Sequence, residues 1–125
     1  MAKAKDLSRS IVRDELLRRR EGVMSQIQAH RQVTRATAES QQEAAKDPYG
    51  GASATHDSEV AVAVAERLGR QLVQINRAIA DFDAGRYGRC QDCEEPIAPA
   101  RLRVLPFTTR CVSCQAEMET ASRAA

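Results

Sequence analysis

The stretch Val60-Ala61-Val62-Ala63-Val64-Ala65-Glu66-Arg67-Leu68-Gly69-Arg70-Gln71-Leu72-Val73-Gln74-Ile75-Asn76-Arg77-Ala78-Ile79-Ala80-Asp81-Phe82 decides the fold. One apolar series runs Val60, Val64, Leu68, Leu72, Ile75, Ile79, Phe82, with spacings of 4, 4, 4, 3, 4 and 3. On a helix of about 3.6 residues per turn these positions form one narrow stripe, close to a coiled-coil seam. The Ala, Arg, Gln and Glu residues between them are compatible with helix. Asp57 and Glu59 suit the positive end of a helix dipole, so the start is expected near Thr55 or Asp57. Gly85 is a natural terminator.

Upstream, residues 7–46 contain no Pro and a single Gly, Gly22. Leu7, Ile11, Val12, Leu16, Val23 and Ile27 recur at helical spacing, with Asp6 or Ser8 as a possible cap. Beyond Ile27 the seam continues weakly through His30, Thr34 and Thr37. Asp47-Pro48-Tyr49-Gly50-Gly51 should end this helix, because Pro disfavours helix at the residue before it and the glycines allow a reversal. Two helices joined by a short turn run antiparallel. A reversal near Gly51 would set Ile27 level with Ile75 and Val23 with Ile79. The expected fold is mainly α: an antiparallel coiled-coil hairpin over residues 1–84, shaped as a narrow rod with its tip at about 47–56. A separate module over 85–125 would end in a short helix from Cys111 to Arg123.

Composition supports this reading. Of 125 residues, 42% are apolar, but Ala dominates that count and aromatics make up 3% (Tyr49, Phe82, Tyr87, Phe107, no Trp). So little bulky volume argues against a sandwich, a barrel or a doubly wound sheet. It also leaves no ring platform for stacking single-stranded bases. Nineteen basic residues against 17 acidic give a net charge of +2, too even to imply nucleic acid binding. No apolar run approaches the roughly 18 residues of a membrane span. The charged start, Met1 to Asp6, precedes no apolar stretch of the kind a secretory signal needs. A cytoplasmic protein without membrane contact is expected. No catalytic triad, phosphate loop or pair of catalytic acids is evident, so no enzymatic activity is expected.

All four cysteines lie between positions 90 and 114. Cys90-Gln91-Asp92-Cys93 and Cys111-Val112-Ser113-Cys114 read C-x2-C-x17-C-x2-C. Two residues between ligands let both sulfurs of one turn approach one ion, and a second pair closes a tetrahedron around zinc at about 2.3 Å. Four protein ligands leave no open position, so the metal would be structural. Its tetrathiolate would carry a formal charge of minus two, which Arg86, Arg89, Arg101, Arg103 and Arg110 could offset. A dithiol redox site is the rival reading, but such sites sit at a helix start beside a βαβ pattern that is missing here.

Gly85-Arg86-Tyr87-Gly88-Arg89-Cys90-Gln91-Asp92-Cys93, then Ile97, Ala100-Arg101-Leu102, Pro106 and Cys111-Val112-Ser113-Cys114-Gln115, closely resemble the DksA/TraR family of bacterial C4-type zinc-finger regulators. The likeness is specific over 85–115, weaker through the second helix, and rests on pattern alone over 1–46. It implies a coiled-coil hairpin beside a zinc module, and RNA polymerase rather than DNA as the partner. The hairpin would enter the secondary channel with its tip approaching the catalytic centre, often in concert with the nucleotide ppGpp. A monomer that makes no sequence-specific DNA contact is expected.

The family's tip motif, Asp-x-x-Asp-x-Ala, falls on Asp47-Pro48-Tyr49-Gly50-Gly51-Ala52. Asp47 and Ala52 match and are the candidate tip residues, whereas Gly50 replaces the second acid. Glu94 stands where the family usually has Gly after the second cysteine, which would strain it by roughly 1–2 kcal/mol if that backbone is left-handed. Where ppGpp-sensing members carry basic side chains, this chain has Gln74, Leu105 and Gln115, so a weak ppGpp response is expected. The alternatives are a zinc ribbon that binds nucleic acid directly and, less favoured, a thiol redox protein.

Overall fold

The computed structural model describes the backbone of residues 2–44 and 51–124, and the side chains of 9–43 and 56–123. Among the described residues four helices follow in order: α1 (Ala2–Ala44), α2 (Gly51–Asp83), α3 (Pro99–Val104) and α4 (Val112–Ala124). Among the described residues there is no strand, only an isolated antiparallel bridge between Arg89 and Pro96. The mainly α architecture expected from the periodicity is present.

α2 begins at Gly51, about a turn before the expected start, so Asp57 and Glu59 lie within the helix rather than at its cap. Ala52 and Ala54, both strong helix formers, extend it backwards at little cost. At the other end Arg86 N–H donates to the Asp81 carbonyl (2.7 Å) and Gly85 N–H to that of Phe82 (3.1 Å). With Gly85 at φ 77° this is a Schellman cap, which satisfies carbonyls the helix leaves open.

The chain forms two compact units, one of residues 1–20 with 73–125 and one of residues 21–72. In the first, Leu16, Ile75, Ala78, Ile79, Cys90 and Ile97 are the buried core. Aromatic and charged contacts surround it. Phe82 and Tyr87 meet edge to face with centroids 5.5 Å apart. Arg9 lies over the Phe82 ring and Arg19 over the Phe107 ring, at 5.5 and 5.6 Å. Arg13 Nε donates to Asp83 Oδ1 at 3.0 Å.

In the second unit Val23 and Leu68 are buried, while Val60 and Val33 stand largely in solvent. His30 Nε2 reaches the carbonyl of Ala61 at 2.9 Å, so a polar link occupies the position where the apolar seam of α1 gives out. The helix pairing departs from the expected register. A reversal centred on Gly51 would set Arg13 near Arg89 and His30 near Leu72, but their partners are Asp83 and Ala61, earlier in the chain. Gly51 is the first residue of α2 rather than a turn residue.

Candidate metal centre

Past the Schellman cap the chain doubles back tightly. Cys90 N–H donates to the Glu95 carbonyl (2.8 Å) and Ile97 N–H to the Gly88 carbonyl (2.7 Å), folding 88–90 onto 95–97. The loop closes through Glu94, whose N–H donates to the Cys90 carbonyl at 2.9 Å. Glu94 has φ 64°, a left-handed backbone, which is the condition under which strain was expected there. Tyr87 supports this loop by donating its hydroxyl to the Pro106 carbonyl at 2.7 Å.

α3 carries the chain from the first cysteine pair towards the second. The sequence reading did not anticipate it. Pro99 at its start is the one available signal, since proline is well suited to the first helical turn. Thr108 and Thr109 are then buried, and Thr109 accepts the N–H of Gln91 at 2.8 Å. Cys111 lies just before α4 and Cys114 in its first turn, the helix forming where the Cys111–Arg123 pattern placed it.

These local folds gather Cys90, Cys93, Cys111 and Cys114, whose sulfurs all lie within 4.8 Å of one another. Cys93 Sγ is 3.8 Å from Cys111 Sγ. A tetrahedron with zinc–sulfur bonds of about 2.3 Å has edges of about 3.8 Å, so the spacing fits that ion. The thiols are free rather than joined as disulfides. Cys90 is buried, Cys111 and Cys114 are half-buried, and Cys93 is exposed.

The acid–base state of the sulfurs points the same way. Burial pushes the Cys90 thiol up, but N–H donors from Cys111, Cys93 and Asp92 outweigh it and bring it down to about 6. At Cys93 an N–H from Glu95 favours the thiolate, yet burial and the sulfurs of Cys90 and Cys111 leave its pKa raised. Cys114 is raised chiefly by Cys111, then by Cys90. Four crowded sulfurs do not all ionise unaided, and a divalent cation removes the conflict.

Three of the five arginines expected to offset this charge have other partners. Arg110 Nε donates to Asp92 Oδ2 (2.8 Å), Arg101 Nε to the Arg110 carbonyl (3.3 Å), and Arg86 lies 3.9 Å from Asp81. Backbone amides reach the sulfurs instead, that of Cys114 lying 3.4 Å from Cys111 Sγ. Of the candidate tip residues, Asp47 lies outside the described residues. Ala52 is in the first turn of α2, and its side chain is outside them too.

Residues 85–119 match the family described as the prokaryotic dksA/traR C4-type zinc finger. In structure the chain is similar to transcription factor DksA2 from Pseudomonas aeruginosa. The TM-score is 0.72 at 28% identity, over 92% of this chain and 85% of that one. It is 51% identical over 37 residues to an uncharacterized protein of Haemophilus influenzae, covering 30% of this chain and 47% of that protein. The chain thus spans about half the length of that relative. It is also 44% identical over 50 residues to an uncharacterized 8.2 kDa protein of Escherichia phage P2, covering 40% of this chain and 68% of that one. The chain belongs to the DksA/TraR family. Its cofactor is a structural Zn²⁺ ion. No described helix is long and apolar enough to cross a membrane.

Proposed function

We propose that this protein is a bacterial transcription regulator that binds RNA polymerase through the secondary channel. In this reading Cys90, Cys93, Cys111 and Cys114 are the zinc ligands. With all four positions taken by thiolates, the metal does no chemistry and serves to fix the segment from Gly85 to Cys114. In this reading the protein is a regulator and not an enzyme. Residues 1–84 act as the probe and residues 85–125 as its zinc-braced base. Asp47 and Ala52 are the tip residues directed at the catalytic centre. Gly50 in place of a second acid removes charge there and weakens the regulatory effect more than binding. The protein acts in the cytoplasm as a monomer.

The observation that carries this reading is the four-sulfur cluster within a fold shared over nearly the whole chain with a transcription factor. A weak response to ppGpp follows from Gln74, Leu105 and Gln115, which offer no cation to a polyphosphate. Gln115 also donates its side-chain amide to Glu119 at 3.1 Å, which adds a carboxylate beside that position.

The test is competition with a known secondary-channel factor for RNA polymerase, using the zinc-loaded chain and its Asp47→Asn variant. Displacement at micromolar concentration is expected from both. Asp47→Asn should reduce the change in promoter-complex lifetime while leaving displacement intact. Failure of the parent chain to compete would count against the channel as the binding site. Polymerase-independent binding to DNA or RNA that falls steeply with salt would favour a nucleic-acid-binding zinc ribbon instead.

A further inference from the structure

Besides the four sulfurs, two polar links join the cysteine pairs. The N–H of Gln91 donates to the Thr109 carbonyl at 2.8 Å. One residue further along each strand of chain, Arg110 Nε donates to Asp92 Oδ2, also at 2.8 Å. Asp92 lies between Cys90 and Cys93, and Arg110 immediately precedes Cys111. The Arg110 backbone is itself held, because its carbonyl accepts both Arg101 Nε (3.3 Å) and Thr108 Oγ1 (3.1 Å). The guanidinium therefore starts from a fixed point.

We infer that the Asp92–Arg110 ion pair is a latch that holds the two cysteine pairs in register and slows the departure of zinc. This rests on the four cysteines being the zinc ligands. A competing chelator removes zinc from a tetrathiolate by replacing one sulfur at a time. Cys93 is exposed and Cys111 and Cys114 are half-buried, so replacement starts on that face, with Cys90 buried behind it. A displaced thiolate rebinds if its segment stays close, which keeps its effective concentration high. The latch supplies that closeness through a bond between side chains rather than to a sulfur, so Asp92 and Arg110 are positioning residues. Their side chains are 44% and 24% exposed, so solvent and salt screen the pair in part and the effect is modest.

The experiment measures zinc content of the full-length purified chain, then the rate of zinc transfer to a colorimetric chelator. Asp92→Asn and Arg110→Gln should each speed release by about two- to fivefold at low salt, with helix content unchanged by circular dichroism. The double variant should be no faster than the singles. The exchanged pair, Asp92→Arg with Arg110→Asp, should recover most of the original rate, and concentrated salt should move the parent chain towards the variants. Unchanged rates in the singles, additive rates in the double variant, or no recovery on exchange would overturn the latch while leaving the zinc site standing. A parent chain purified without zinc would overturn the zinc assignment and the latch together.

Discussion

Cys93 Sγ and Cys111 Sγ stand 3.8 Å apart, one sulfur from each pair, across 18 positions of sequence. The segment between them has little core of its own beyond Ile97, Pro106, Thr108 and Thr109. Zinc binding in such modules is of order 10–16 kcal/mol and is realised as folding free energy. Metal analysis should find one zinc per chain. Chelation, or Cys111→Ala, should collapse the amide NMR dispersion of residues 85–115. Retention of that dispersion in metal-free protein would show that the segment folds on its own.

Glu94 carries a positive φ where glycine would be unstrained. Glu94→Gly should raise stability in urea unfolding of the zinc-loaded chain by about 1 kcal/mol, the order of the left-handed penalty for an L-residue. The gain is reduced by the added freedom of glycine in the unfolded chain.

Gly69 lies inside α2, and a methyl group added there meets nothing within 4 Å. Close packing therefore does not account for this glycine. Gly69→Ala should stabilise the helix by about 1 kcal/mol and raise the melting temperature. A lowered melting temperature would mean that the helix needs backbone freedom at this point.

The Arg13 guanidinium hydrogen-bonds Asp83 and holds its carboxyl below the ordinary carboxylate value. A carboxyl depressed in the folded state adds stability that is fully present above the unfolded pKa, about 3.9, and is lost as pH falls through the lower folded value. Asp83→Asn should therefore flatten the acid limb of the stability profile below about pH 4. Both side chains are well exposed, so added salt should shrink the difference. Identical acid limbs for the two proteins would show that the pair contributes no linkage.

Much of this architecture is written in local patterns. The burial of Leu68, Ile75 and Ile79 follows from a stripe visible in the sequence, and Gly85 ends α2 as a terminator should. The doubled C-x2-C spacing named all four clustered sulfurs. What escaped depends on distant partners or weak local preference. α3 spans six residues, too few to display a period. The helix register was misjudged because a glycine can open a helix as readily as mark an apex, and Gly51 opens α2. No local signal joins Arg19 to Phe107, and none told whether Arg110 would turn to sulfur or to Asp92.

The thin interior of residues 21–72, where Val23 and Leu68 are the buried apolar side chains among those described, bears on how that unit breathes. Openings there expose little oil to water, so they cost far less than melting the whole chain. Deuterium should enter the amides around His30 and Ala61 sooner than those around Leu16 and Ile75. The unit of residues 21–72 can therefore change shape locally while the packing around Leu16 and Ile75 stays intact.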